Sequence, residues 1–511
     1  MKINIQEKQY MELCDTCDKV LKSSVTIKEC VAIDWLHIVR AHPEFLRKYA
    51  PKSKYSNYLV VKARSLFKYI LIYLRWFNQL KKTIFSKDLP WKSYGDKLEK
   101  SDLLFVSHLI NESAIKQKDD FYFGEMPEIF RMNGYSVLTA MIDHTKYTKE
   151  NVVLNRNRAY PAIVILSKVM SFFNEIKLFL RLYAEKVRLS KLAKLENRGL
   201  LKDVLNRASQ EALSLETSIN LRIMLQINLL LRQVKPKVIM VTYEGYAWER
   251  LVFMAAHKID PNIKCIGCHN SAIYYLQHSF QRSLSSMLDP DIIVTTSEAI
   301  KRKLDSSKKL NNNIEVQVLG STRLQKIPKK IPKKTHVTQK KVCMVIPEGI
   351  ISECEIMFKF SLLCANQFPD VNFIWRLHPV ISFESLKKNN RYFKNLPGNI
   401  AISQQSMECD IENSDWAMYR GSASIIQALY QKVQPIYLQL KDEITIDALH
   451  EIKDWKVIIR TVEDFGEIIN IDQKDIKTRT ERKNAIDSCK KIITPIDYDV
   501  IKGIVNKTFN R

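Results

Sequence analysis

Glycine is scarce in this chain, 12 residues of 511. Neither G-x-x-x-x-G-K-[ST] nor G-x-G-x-x-G occurs. The backbone cradles that hold ATP phosphates or a nicotinamide pyrophosphate therefore have no support here. G-x-S-x-G and H-E-x-x-H are also missing, which removes the serine-hydrolase elbow and the zinc helix of metalloproteases. No apolar stretch approaches the roughly 18 uninterrupted residues of a spanning helix. LFKYILIYLRWF (66–77) is broken by Lys68 and Arg75, and AIVILSKVMSFF (162–173) by Lys168. The opening MKINIQEKQY has no basic segment running into an apolar one, so a cytoplasmic protein without a secretory leader is expected.

Ten cysteines fall without regular spacing, as expected of free thiols in a reducing compartment. Two Cys-x-x-Cys pairs occur, Cys14/Cys17 and Cys265/Cys268, and the second is followed by His269. KCIGCHNS (264–271) can thus be written as a haem-attachment run or as half of a zinc site. Covalent haem attachment takes place outside the cytoplasm, and zinc requires four ligands, usually as two close pairs. The other pair lies far away, in a polar helical stretch. The reading adopted is a buried strand, with Cys265 and Cys268 as small apolar thiols and His269 emerging at the sheet edge. DPD (289–291) imitates a metal-binding Asp-x-Asp, but it leads into an apolar run through proline and reads as a strand entry. No metal is expected.

Lys and Arg outnumber Asp and Glu by 80 to 55, a formal charge of +25. Nucleic acid, an anionic membrane surface or an anionic substrate would each suit that balance. The basic residues are dispersed, and no helix-turn-helix, finger or RNA-binding sheet signature accompanies them, which argues against nucleic acid. Two helical stretches, ARSLFKYILIYLRWFNQLKK and roughly 163–200, mix aromatic and basic residues. Each fits either an ordinary packed helix or an interfacial membrane helix.

Residues 1–97 read as a helical, basic N-terminal extension. From 98 to 325 the pattern is strand–helix alternation, with a long helical insertion at about 160–230. SDLLFVSHL, PKVIMVTY, KCIGCHN, DPDIIVTTS and IEVQVLG are its strands. A Pro- and Lys-rich linker follows at 326–340. The alternation restarts over 341–511 with KVCMVIPEG, NFIWRLHP, NIAISQQ, WAMYR and QPIYLQL, followed by C-terminal helices. The fold class is therefore α/β: two Rossmann-like, doubly wound domains behind a helical extension.

In open α/β sheets ligands bind at the carboxyl ends of strands. There the first unit delivers Glu244-Gly245 and His269. The second delivers Glu348-Gly349, then Arg376, His378 and Pro379, then Arg420, Gly421, Ser422 and Ser424. Gly-Ser-x-Ser at a helix start suits a phosphate, and Arg376, His378 and Arg420 add positive charge beside it. Glu244 or His269 could take a proton from an acceptor hydroxyl. A phosphate grip on one unit and a base on the other is what nucleotide-sugar transfer requires.

On TYEGYAWERL, CIGCHNSAIYYLQHS, VLGSTR, VIPEGIISECE, WRLHP and YRGSASIIQALYQKVQPIYL, the chain resembles two-domain (GT-B) glycosyltransferases of bacterial surface polysaccharides. The group includes capsule Kdo transferases and polysialyltransferase-like enzymes, and the likeness covers roughly 100–470. It implies an inverting, metal-independent transferase without cofactor. Its donor would be a nucleotide sugar, such as a CMP-linked acidic one, and its acceptor a surface glycan or lipid-linked precursor. The acidic-Gly, His-Pro and Ser motifs correspond to Glu244-Gly245, His378-Pro379 and Ser422/Ser424. By that correspondence Glu244 is the base, and His378 and the serines hold the nucleotide phosphate. The family motif has two acids before glycine, whereas Tyr243 stands before Glu244, and Glu348-Gly349 is a second candidate. CHNS also resembles the His-Gly region of CDP-glycerol polymerising transferases, which keeps His269 as an alternative base and a phosphoalditol transferase as an alternative activity. The implied location is the cytoplasmic face of the plasma membrane, held by peripheral contact.

Overall fold

The computed structural model describes residues 7–23, 26–39, 41–42, 58–85, 90–94, 98–110, 119–145, 162–272, 274–324, 341–470 and 476–510. The linker expected at 326–340 lies outside these residues. Two sheets carry the fold. The first contains β1 (Trp91–Tyr94), β2 (Leu103–Leu109), β3 (Val137–Asp143), β4 (Ala162–Leu166), β5 (Val238–Thr242), β6 (Lys264–Cys268), β7 (Ile292–Thr295) and β8 (Glu315–Val318). Their spatial order is β1-β4-β3-β2-β5-β6-β7-β8. All neighbours are parallel except β1, which runs antiparallel to β4.

The second sheet contains β9 (Lys341–Ile346), β10 (Val371–Trp375), β11 (Ile400–Ile402), β12 (Trp416–Tyr419), β13 (Gln434–Leu438) and β14 (Val457–Ile459). Its order is β11-β10-β9-β12-β13-β14, and every pair is parallel. Each sheet is wound outward in one direction and then in the other. The order reverses between β2 and β5 in the first sheet and between β9 and β12 in the second, and such switch points open a crevice at the strands' carboxyl ends. The two doubly wound α/β units expected from the sequence are present.

The strands form where β-branched and other apolar residues run together, because parallel strands covered by helices are buried on both faces. VIMVT of β5 is buried throughout. Cys265 and Cys268, three positions apart on β6, point to opposite faces and enter different cores. They cannot share a metal ion, so the Cys-x-x-Cys-His run is ordinary strand interior.

Three elements differ from the expectations. AIVIL, placed within a helix beginning near 163, is the buried strand β4, and the helix starts at Phe172. Its Ile-Val-Ile sequence suits a two-sided pleat better than a helix. The strand WKSY, counted with the N-terminal extension, is β1 at the edge of the first sheet. The last helix, Tyr498–Phe509, returns to the first unit, where Ile501, Ile504 and Val505 bury against its core and the Tyr135 hydroxyl donates to Asn506 at 2.7 Å.

The extension packs on the first unit. Helix Glu7–Leu21 buries Tyr10, Leu13, Cys14 and Cys17 against helix Leu200–Glu211. Asp18 accepts from His278 at 3.0 Å and pairs with Arg282 at 2.9 Å. Burial opposes the charge on Asp18, but these two partners outweigh it and hold the carboxyl at about 2.

The returning C-terminal segment crosses Gly320 closely. Gly320 has φ +85°, and a Cβ there would lie 2.1 Å from the Pro495 carbonyl oxygen. Gly320→Ala should cost more than about 2 kcal/mol, read as a lowered midpoint in chemical denaturation. An unchanged midpoint would mean that the crossing does not constrain the chain.

Candidate active site

The two switch points face one another across a cavity of 480 Å³. From the first unit it is lined by His108, His144, Thr242, Glu244 and Trp248 among others, and from the second by Gly349, His378 and Val380. Hydrogen bonds from the first unit and from the N-terminal extension reach the second unit. The Tyr274 hydroxyl donates to the Gly421 carbonyl at 2.5 Å, and His42 Nε2 lies 2.7 Å from Glu348 Oε1.

Glu244 stands two residues beyond β5 and lines the cavity beside Thr242 and Tyr243. Its loop is rigidly built. Gly245 has φ +86°, and a Cβ there would lie 2.6 Å from the Ser279 backbone, so glycine is required. Buried Glu249, at the start of helix Ala247–Ile259, accepts the backbone N–H groups of Glu244, Gly245 and Tyr246 at 2.7–3.1 Å. Burial pushes the Glu249 carboxyl up, and these N–H donors work against that push.

His378, just past β10, stands against Gly349, where a Cβ would lie 2.9 Å from its Nδ1. The cavity thus brings together Glu244, Gly349 and His378 of the residues singled out from sequence.

The other assigned residues lie elsewhere. Arg420 is fully buried, with Nε 2.6 Å from Glu353, Nη2 2.8 Å from Glu443 and Nη1 donating to the Leu438 carbonyl at 3.1 Å. Burial opposes its charge, yet the two carboxylates outweigh it and hold the guanidinium above the usual arginine range. It is a structural cation rather than a phosphate contact. Arg376 pairs with Asp410 at 2.6 Å and donates to the Gln405 carbonyl at 2.9 Å. Glu348 is buried beneath Gly421, where a Cβ would lie 2.0 Å from its Oε1, and it is engaged by His42. Ser422 is buried and Ser424 half-buried, and neither lines the cavity. The helix they precede, Ile425–Tyr430, has six residues and only a short dipole. Pro379 is exposed beside His378. His269 is 1% exposed, with its ring stacked on Phe280 at 4.3 Å; Ser271 lines the wall in its place.

Two groups bring three residues able to ligate a metal together among the described residues, His257/Cys265/Asp291 and His42/Glu348/Glu353. Both are accounted for by hydrogen bonding: Asp291 accepts the Cys265 amide at 2.7 Å, and Glu353 binds Arg420. Asp289 forms a buried ion pair with Arg250 and accepts the Leu284 amide at 3.0 Å, which ties down the entry to β7.

The cavity also holds residues that the motif reading passed over. His108, on β2, has Nδ1 2.8 Å from His144 Nε2 and Nε2 3.1 Å from Thr242 Oγ1. Its ring meets Trp248 edge-on at 5.2 Å. The strand SDLLFVSHL carried the signal, since its penultimate residue is a histidine at a switch-point edge. His42 had none, because its partner Glu348 lies 306 positions away.

Burial, helped by the His144 imidazole, pushes His108 down to about 3 from 6.5. The folded state therefore resists a proton that the unfolded chain accepts. The stability this residue contributes is complete above pH 6.5 and is lost as pH falls from 6.5 toward 3. Acidification from about pH 7 to 5 should lower the melting temperature less in His108→Gln than in the unaltered protein; equal losses would contradict a neutral His108. Arg420→Met should cost about 3–5 kcal/mol by stranding the buried Glu353 and the half-buried Glu443 carboxylates, while His378→Ala stays within about 1 kcal/mol. Retained stability with lost nucleotide binding in Arg420→Met would restore a ligand role to Arg420.

No protein-family model matches the chain, and no curated protein matches it. Solved structures do. The S. aureus MnaA–UDP structure aligns over 80% of this chain and 97% of its own, at 12% identity and TM-score 0.46. The UDP-GlcNAc 2-epimerase of Neisseria meningitidis bound to UDP-GlcNAc aligns over 80% and 100%, at 14% identity and TM-score 0.43. MurG of Acinetobacter baumannii aligns over 79% and 99%, at 12% identity and TM-score 0.41.

Proposed function

We propose that the chain is a glycosyltransferase of the two-domain GT-B type, moving a sugar from a nucleotide donor to a surface-glycan or lipid-linked acceptor. The observation that carries this reading is the cavity at the facing switch points, which sets Glu244 of one unit opposite His378 and Gly349 of the other. In the reaction, the Glu244 carboxylate takes the proton of an acceptor hydroxyl. The oxygen bonds to the anomeric carbon on the face opposite the nucleotide phosphate, and the bond from that carbon to the phosphate oxygen breaks with inversion. His378 and the backbone beside Gly349 meet the charge that develops on the departing phosphate. No metal or cofactor is assigned a part, and a CMP-linked acidic sugar is the donor the sequence resemblance favours. Neutral His108 and His144 offer hydrogen bonds to the acceptor's hydroxyl groups, with Trp248 as an apolar face for its ring.

The phosphoalditol alternative needed His269 as base, and the burial of that ring behind the cavity wall favours Glu244.

Thermal-shift titration with CMP, CDP, UDP and GDP should show saturable stabilisation by one nucleotide, weakened in His378→Ala. With the corresponding donor, Glu244→Gln should lower transfer by about 10²–10⁴-fold while nucleotide stabilisation persists. Absence of stabilisation by every nucleotide would overturn the donor-site assignment. Full activity in Glu244→Gln would remove it as the base.

A further inference from the structure

Two helices of the first unit are apolar on the side turned away from the protein. In helix Tyr58–Phe85, Ile72, Trp76 and Thr83 face inward and are buried. Ile70, Leu74, Phe77 and Ile84 recur at helical spacing on the opposite side and are exposed, Phe77 by 67%. Helix Phe172–Leu195 repeats the arrangement. Leu178, Leu182 and Leu189 are buried, while Phe173, Leu180, Tyr183 and Val187 form an outward stripe, Phe173 being 82% exposed. The stripes meet, because Tyr73 and Tyr183 both pack on Phe179, at 6.2 Å each.

The charge on these helices is sorted by side. Helix Tyr58–Phe85 contains six basic residues and no Asp or Glu. Helix Phe172–Leu195 also has six basic residues, and its two acids, Glu175 and Glu185, are buried against Arg222 and Arg188. Arg75, Lys81, Lys82, Lys177, Lys191 and Lys194 are exposed around the apolar stripes. No helix of the described residues is long and apolar enough to cross a membrane.

We propose that the paired outer faces of these helices dock on an anionic lipid bilayer. An apolar stripe flanked by cations is the composition of a helix lying in the headgroup region, with aromatic and aliphatic side chains entering the acyl boundary and Lys and Arg meeting the lipid phosphates. A second copy of the chain fits poorly, since a two-fold contact would set this acid-free face against itself. Nucleic acid would engage the cations but leave the apolar stripe without a partner.

The test is co-sedimentation of the full chain with phosphatidylcholine vesicles, with and without phosphatidylglycerol. Binding should require the anionic lipid and weaken with added salt. Substituting Leu74, Phe77, Phe173 and Leu180 together by Gln should weaken binding at least about tenfold. Lys81→Glu with Lys82→Glu should do the same, since each cation contributes about fivefold near an anionic surface. These positions are exposed, so the melting temperature should not move. No sedimentation with anionic vesicles, or equal sedimentation of the Gln variant, overturns the proposal. So does a dimer in analytical ultracentrifugation that the Gln substitutions dissociate, or duplex-DNA binding that exceeds binding to the vesicles.

Discussion

A parallel strand covered by helices on both faces admits few polar side chains along its length, and that constraint organises this protein. Polar residues collect where strands end. Because the first sheet reverses its winding direction between β2 and β5 and the second between β9 and β12, the ends of these strands splay around a shared crevice. Glu244, His108 and Thr242 on one wall and Gly349 on the other are consequences of that geometry.

Charge inside the protein obeys a related rule. Arg250, Arg282 and Arg420 are fully buried, and each meets a carboxylate: Asp289, Asp18, and Glu353 with Glu443. Burying a charge is costly unless a partner compensates, so these pairs lock together segments far apart in the chain. Asp18 fastens the N-terminal extension to the first unit. His42, from the same extension, reaches Glu348 at the base of the second unit's switch point. The extension is thus part of the scaffold of the cleft. Since the acids of helix Phe172–Leu195 also turn inward, its outward face is left cationic and apolar.

Much of this was legible in the chain's pattern. Alternation of apolar runs with amphipathic stretches predicts two doubly wound units, and the strand ends predict Glu244, Gly349 and His378 at the crevice. The pattern failed where a short apolar run was ambiguous in period, as in AIVIL, which became β4 because its Ile and Val side chains are buried on both faces of a sheet. It failed again at WKSY, too short to announce itself without the partner strand it pairs with.

The sequence by itself determined which residues stand at strand ends, because burial on two faces is written in runs of Val, Ile and Leu. Only the tertiary structure decided which of them are available. Arg420 and Glu348 sit at strand ends as Glu244 does, yet Glu353, Glu443 and His42 converge on them from distant parts of the chain and engage their charge. His269 emerges from β6 only to stack on Phe280. Whether a charged group faces a cleft or a counter-ion depends on long-range convergence, and no local spacing encodes it.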